Sequence, residues 1–188
     1  ADRREGAHPF TVSGADDGTG RVRFSIKALG DYTRRLQTSL KAGQAVTVEG
    51  PYGCFDLPCD DGRPQIWVAA GIGVTPFISW LESLQSDPDR APKATLYYCA
   101  RNEADAPFAR QLETLCAQVP RVTLHVWYSE AQRPLTAADL LAGRVAGTPW
   151  PSVWFCGPTG FADALKDGLH RRGMPVRQLF HQEAFQMR

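Results

Sequence analysis

The chain has 188 residues, enough for one domain or two small ones. Its 21 Lys and Arg against 20 Asp and Glu leave a formal net charge of +1, which argues against nucleic acid as a partner. No apolar run reaches membrane-spanning length, and the start, Ala1-Asp2-Arg3-Arg4-Glu5, is too polar for a signal peptide.

Residues 8–13 look extended and end at a turn over 14–18. Residues 21–29 then alternate, with Val22, Phe24, Ile26 and Ala28 facing one way and Arg21, Arg23, Ser25 and Lys27 the other, as in a half-buried antiparallel strand. Gly30-Asp31-Tyr32-Thr33-Arg34-Arg35-Leu36 opens a short helix. Residues 45–49 alternate again and close on the turn Gly50-Pro51-Tyr52-Gly53. Residues 1–57 thus read as antiparallel β with one helical segment, followed by a polar linker over 58–64. So few strands cannot close a barrel or hide its edges, so strands preceding Ala1 are expected to be missing.

From residue 65 onward strands and helices alternate. The strands expected are 65–70, 94–99, 122–128, 152–156 and 177–181, and the helices 76–85, 106–117, 136–142 and 159–171. Leu96-Tyr97-Tyr98-Cys99 and Val153-Trp154-Phe155-Cys156 are apolar on both faces, which predicts an α/β fold with a five-stranded parallel sheet covered by helices on both sides. Such sheets take ligands at the carboxyl ends of their strands, here Gly71, Arg101, Ser129, Cys156-Gly157-Pro158 and the stretch after His181.

The stretch Trp67-Val68-Ala69-Ala70-Gly71-Ile72-Gly73-Val74-Thr75-Pro76-Phe77 organises this half. It reads as a buried strand, a glycine turn and a helix capped by Thr75, with Pro76 at its first position. Gly71 and Gly73 permit positive φ and close approach, so backbone N–H groups at a positive helix end can hold a pyrophosphate. A plain tight turn has the same pattern, and Pro76 stands near the place of the third glycine of the dinucleotide fingerprint. The five cysteines, Cys54, Cys59, Cys99, Cys116 and Cys156, are odd in number and scattered, as free thiols in a reducing compartment are. Cys54 and Cys59 lack the further close partners of an iron–sulfur cluster, and no metal site is expected.

Taken together and in order, His8-Pro9-Phe10-Thr11, Gly30 to Leu36, Gly50-Pro51-Tyr52-Gly53, Gly71 to Phe77, Cys156-Gly157-Pro158 and Phe180-His181-Gln182-Glu183-Ala184-Phe185 resemble the ferredoxin–NADP reductase superfamily. The form His-Pro-Phe-Thr resembles its ferric reductase and NADPH oxidase branch. The resemblance implies that residues 1–57 are the back part of an FAD-binding barrel and 65–188 an NAD(P)-binding domain. Phe10 would pack on the isoalloxazine ring, though an ordinary core place suits it equally. Thr11 would bond near flavin N5, and His8 beside Pro9 would stand in for a phosphate-binding arginine. Lys27, Gly30, Tyr32 and Thr33 would hold the rest of the FAD, with Arg34 or Arg35 adding charge unless they only form a solvated face.

On the other side Gly71, Gly73, Val74, Thr75 and Pro76 would cradle the NAD(P)H pyrophosphate. Cys156, beside Gly157 and Pro158, would lie next to nicotinamide C4 as a polarizable neighbour. Ser129 and Arg133 would bind a 2′-phosphate and Arg101 the same phosphate or the pyrophosphate, while Glu130 points the other way, so NADPH is favoured and NADH is possible. Glu183 and Phe185 would lie over the flavin, Glu183 moving a proton or orienting the ring. The implied activity passes hydride from NADPH to FAD and then single electrons to haem in a membrane domain outside this chain, and on to ferric iron or oxygen. That places a soluble chain at the cytoplasmic face of a membrane. The alternatives are a soluble reductase serving a ferredoxin, flavodoxin or oxygenase, and a nucleotide-binding module without turnover.

Overall fold

The computed structural model describes residues 8–57 and 62–183. Five strands, β1 (Gln65–Ala70), β2 (Ala94–Ala100), β3 (Val122–Tyr128), β4 (Ser152–Cys156) and β5 (Phe180–Gln182), form one sheet in the order β3-β2-β1-β4-β5. All four pairings are parallel, with Gln65 opposite Ala94 on one side and Ser152 on the other. The helices are α1 (Asp31–Ser39), α2 (Thr75–Leu84), α3 (Ala109–Gln118), α4 (Ala137–Leu140), α5 (Thr159–His170) and α6 (Val176–Leu179).

The apolar runs explain the layers. Trp67, Ala69, Leu96, Tyr98 and Cys156 pack against α2 and α3 through Phe77, Leu81, Leu84 and Leu112. The alternate residues Ile66, Val68, Val153 and Phe155 pack against α4 and α5 through Leu140, Leu165 and Leu169. The central strands β1 and β4 are thereby buried on both faces, as the middle of a parallel sheet requires. Trp67 is fully buried, and its Nε1 donates to Gln65 Oε1 at 2.9 Å, so two buried polar groups satisfy each other. The strand order reverses at β1, which has β2 on one side and β4 on the other, and that switch point sets the crevice where ligands sit.

Several boundaries differ from expectation. A 3-10 turn, Gly71–Val74, precedes α2, and Thr75 is the first residue of α2 rather than its cap. The Thr75 hydroxyl donates to the Ile72 carbonyl at 3.2 Å instead of accepting a helix N–H. α3 starts at Ala109, not 106, because Pro107 disfavours helical geometry at Ala106. The expected strand 177–181 is mostly α6, which Pro175 introduces, leaving only the short edge strand β5.

The first part departs most. The alternating runs 21–29 and 45–49 form no ladder among the described residues; one antiparallel bridge joins Val12 to Phe24. Val22, Val46 and Val48 are 58%, 63% and 58% exposed. Alternation makes a strand only where a neighbour takes up its backbone groups and covers its apolar face, and no described segment does so here. Part of the linker, 58–61, lies outside the described residues.

This first part is fastened to the sheet by α2. Glu82 accepts from the Ala15 N–H at 3.1 Å and pairs with Arg23 at 2.5 Å. Arg23 Nε and Nη2 also donate to the Ser13 carbonyl at 3.1 and 2.9 Å, and Ser79 Oγ donates to the Gly14 carbonyl at 3.1 Å. Glu82→Ala is expected to loosen residues 12–24 while the sheet stays folded. Bonds to charged groups contribute about 1.5–3 kcal/mol, so amide exchange at Ser13 and Ala15 should rise roughly tenfold or more with β1 unchanged.

Candidate active site

A cleft of about 1050 Å³ opens at the carboxyl ends of β1 to β4. Gly71, Ile72, Gly73 and Thr75 line it beyond β1, Arg101 beyond β2, Ser129 beyond β3, and Cys156, Gly157 and Pro158 at β4. The opposite wall comes from the first part of the chain: Pro9, Phe10, Thr11, Lys27, Gly30, Tyr32 and Thr33. The volume exceeds the usual range for one small ligand. The N-termini of α2 and α5 both begin at this crevice and lend it positive character.

Glycine serves here in two ways. Gly71 has φ +56, a left-handed turn that lets the chain leave β1. Gly73 has ordinary φ, but a Cβ there would overlap the carbonyl group of Cys156. Gly157 is similarly confined, since its Cβ would lie 2.7 Å from the Cβ of Ala70. Gly73 and Gly157 therefore let the ends of β1 and β4 approach each other. Val74 and Pro76 are buried in the start of α2 rather than on the cleft, so this turn offers its backbone through Gly71 to Gly73.

Glu183 joins the two walls. Its backbone N–H donates to the Phe155 carbonyl at 3.1 Å, which carries the β4–β5 pairing one residue further. Its Oε1 accepts from Thr11 Oγ1 at 3.0 Å and its Oε2 from Cys156 Sγ at 2.9 Å. Burial raises the Cys156 thiol far above its ordinary value, and the charge and hydrogen bond of Glu183 add to that. Cys156 therefore stays protonated and donates. Burial also pushes Cys99, on the cleft, up to about 12 and Cys116 up to about 11. Phe185 lies outside the described residues.

Behind the opposite wall His8 stacks on Tyr32 with ring centroids 3.6 Å apart; its Nε2 is buried without a hydrogen-bond partner, and the expected stand-in for a phosphate-binding arginine does not line the cleft. Thr33 Oγ1 accepts the N–H groups of Leu29 and Gly30 at 2.9 and 3.0 Å, so the hydroxyl expected to meet a ligand is committed to its own turn. Phe10 and Tyr32 are near-parallel, with centroids 6.5 Å apart. A flat ring with polar edges suits that aromatic wall beside the Thr11 hydroxyl.

The two arginines expected at the far end are held in ion pairs. Arg101 Nε lies 2.9 Å from Asp105 and 3.6 Å from Glu130. Arg133 makes two 2.7 Å bonds to Asp139, stacks over Trp127 and does not line the cleft. Its backbone, at φ 127, is held by the 2.7 Å bond from Trp127 Nε1 to its carbonyl. Trp127, Pro134, Leu135 and Phe161 also line the cleft and are not among the expected site residues; Trp127 near the end of β3 and Phe161 in the first turn of α5 lie where strand-end reasoning could have found them.

Arg133, followed by the Thr136 hydroxyl and N–H, holds the Asp139 carboxyl well below the ordinary range. The folded pKa is depressed, so this group stabilises above the unfolded carboxylate pKa near 3.9, and the gain is lost as pH falls through the folded value. Arg133 is half exposed and solvent screens the pair, so about 1 kcal/mol is expected. Denaturant titrations taken from neutral pH into the acid range should show this increment fade in the protein and be absent in Asp139→Asn.

Residues 67–167 match the oxidoreductase NAD-binding domain family. A flavohemoprotein of Pseudomonas putida is 29% identical over 187 residues, covering 94% of this chain and 46% of that protein. The ferredoxin reductase component of 3-ketosteroid-9-alpha-monooxygenase from Rhodococcus rhodochrous is 32% identical over 177 residues, covering 94% and 48%. The flavohem-like FAD/NAD-binding domain of nitric oxide dioxygenase from Vibrio cholerae superposes with a TM-score of 0.73 at 26% identity, covering 94% of this chain and 76% of that one. The chain spans about half the length of the curated relatives it matches. The chain belongs to the oxidoreductase NAD-binding domain family, within the ferredoxin–NADP reductase-like superfamily.

Proposed function

We propose that this chain is the dinucleotide-binding region, with part of the flavin-binding region, of a reductase that moves hydride from NAD(P)H to FAD and then passes single electrons to a partner. The observation that carries it is the cleft at the switch point, walled on one side by the Gly71 turn and Cys156-Gly157-Pro158 and on the other by Phe10, Thr11 and Tyr32. FAD, when bound, supplies the conversion of a hydride into single electrons. The near-parallel Phe10 and Tyr32 rings on the cleft wall fit such a group. Residues 1–57 are assigned to the flavin part, 58–64 to the linker and 65–188 to the NAD(P) domain.

The residues have separable tasks. Gly71 to Gly73 and the start of α5 bind the pyrophosphate through backbone N–H groups. Phe10 and Tyr32 orient the flavin plane. Cys156 shapes the nicotinamide pocket as a neutral thiol, and Glu183 holds Thr11 and Cys156 in one geometry across the reacting pair.

The electron acceptor is best read as an oxygenase, a ferredoxin-type protein or a haem protein, since the relatives include a flavohemoprotein and a monooxygenase reductase component. A second reading rests on His8-Pro9-Phe10-Thr11: delivery to haem in a membrane domain, with this chain at the cytoplasmic face. No helix among the described residues is long and apolar enough to cross a membrane. The test is anaerobic mixing of the FAD-loaded protein with NADH or NADPH. Bleaching of the flavin spectrum is expected; a bound flavin that neither nucleotide reduces would overturn the proposal.

A further inference from the structure

We propose that the cleft selects NADH, and that Glu130 and Asp105 exclude the 2′-phosphate of NADPH. This rests on reading the cleft as a nicotinamide dinucleotide site and says which dinucleotide it takes.

The sequence offers Arg101 and Arg133 to a phosphate; the structure pairs Arg101 through Nε with Asp105 and Glu130, and Arg133 through both terminal nitrogens with Asp139. At the β2 and β3 ends two guanidinium groups face three carboxylates, those of Asp105, Glu130 and Asp139. The arrangement is fixed by more than ion pairing, which at the surface is weak by itself. The Glu130 N–H donates to the Arg101 carbonyl at 3.0 Å, so backbone pairing beyond β3 sets the place of Glu130. Asn102 Nδ2 donates to Glu130 at 3.0 Å, and Asn102 Oδ1 accepts the Asp105 N–H at 3.2 Å. Asn102 thus braces the Glu130 carboxylate and the backbone of Asp105, the two residues that flank Arg101.

A 2′-phosphate needs an arginine whose donors it can take. A phosphate on the terminal nitrogens of Arg101 would place a dianion beside two carboxylates, Asp105 and Glu130, that already share that one guanidinium. Arg133 would have to abandon a two-bond pair with Asp139, whose side chain is only 16% exposed. A ribose hydroxyl has the opposite need. It donates, and a carboxylate at the strand end accepts it, as acidic residues do in NAD sites.

The test is calorimetric titration of the FAD-loaded protein with NAD+, NADP+, AMP and 2′-phospho-AMP, for the protein itself, Asp105→Asn/Glu130→Gln, and Arg101→Ala. The protein should bind NAD+ at least tenfold more tightly than NADP+, and AMP more tightly than 2′-phospho-AMP. The double variant should narrow that ratio by tenfold or more, chiefly by gaining affinity for the phosphorylated forms, with a new salt dependence. Arg101→Ala should leave the weak NADP+ affinity within about twofold. Tighter NADP+ binding by the protein, or an unchanged ratio in the double variant, or a large loss of NADP+ binding in Arg101→Ala, would each overturn the selection. Binding of neither dinucleotide by folded protein would overturn the cleft reading itself.

Discussion

Gly73→Ala is expected to lower both the stability of the protein and its affinity for dinucleotide. The added Cβ would overlap the backbone carbonyl group of Cys156, an atom set that cannot rotate away as a side-chain tip can. The end of β4 must move, and with it Gly157 and Pro158 at the start of α5. Overpacking of this kind costs about 1–3 kcal/mol. Affinity should fall by tenfold or more, because the two helix starts that face the pyrophosphate are displaced together. Gly71→Ala is the informative comparison. Its Cβ would meet nothing, but φ +56 costs a residue with a side chain roughly 1–2 kcal/mol. Gly71→Ala should therefore destabilise without moving β4. Thermal unfolding and NAD+ titration of both variants separate the cases. Unchanged stability and affinity in Gly73→Ala would show that β1 and β4 do not meet as described.

The sheet was legible because its inner strands carry apolar residues on both faces, a pattern that survives whatever surrounds it. Val153 to Cys156 and Leu96 to Cys99 read as buried parallel strands from sequence and are so in the structure. The strand ends followed, and with them most of the cleft. What failed to read was set by partners rather than by local pattern. Residues 45–49 alternate as a strand does, yet without a neighbour their valines face outward. Thr33 has the residue type of a phosphate ligand but spends its oxygen on two backbone N–H groups three and four residues back. Arg133 is a cation in sequence and one half of a closed pair in space, because the turn before α4 brings Asp139 to it. The reach of Glu183 to Thr11 crosses 172 residues of chain, and periodicity within a segment carries no trace of such a contact.

That contact carries the other large effect. Glu183→Gln should slow reduction of bound flavin by NADH by roughly ten- to a hundredfold, at or below the lower end of the range ascribed to positioned proton-transfer groups. The amide oxygen can still accept from Thr11, so the first part of the chain keeps its hold. The amide nitrogen cannot accept from Cys156, which leaves a buried thiol without its acceptor at a cost of about 1 kcal/mol. Two further readouts separate a chemical role from a structural one. The Cys156 thiol is raised by burial first and by Glu183 second, so removing the charge should lower its pKa while leaving it above the ordinary value; the pH dependence of its alkylation should shift toward lower pH. Dinucleotide affinity should change by less than about threefold, since the proposed place of Glu183 is beside the reacting pair and away from the pyrophosphate. Glu183→Ala, which releases Thr11 as well, should lose more stability than the glutamine variant. Reduction at the unaltered rate in Glu183→Gln, with the thiol shift present, would confine Glu183 to holding the two walls together and leave hydride transfer to the geometry of the cofactors alone.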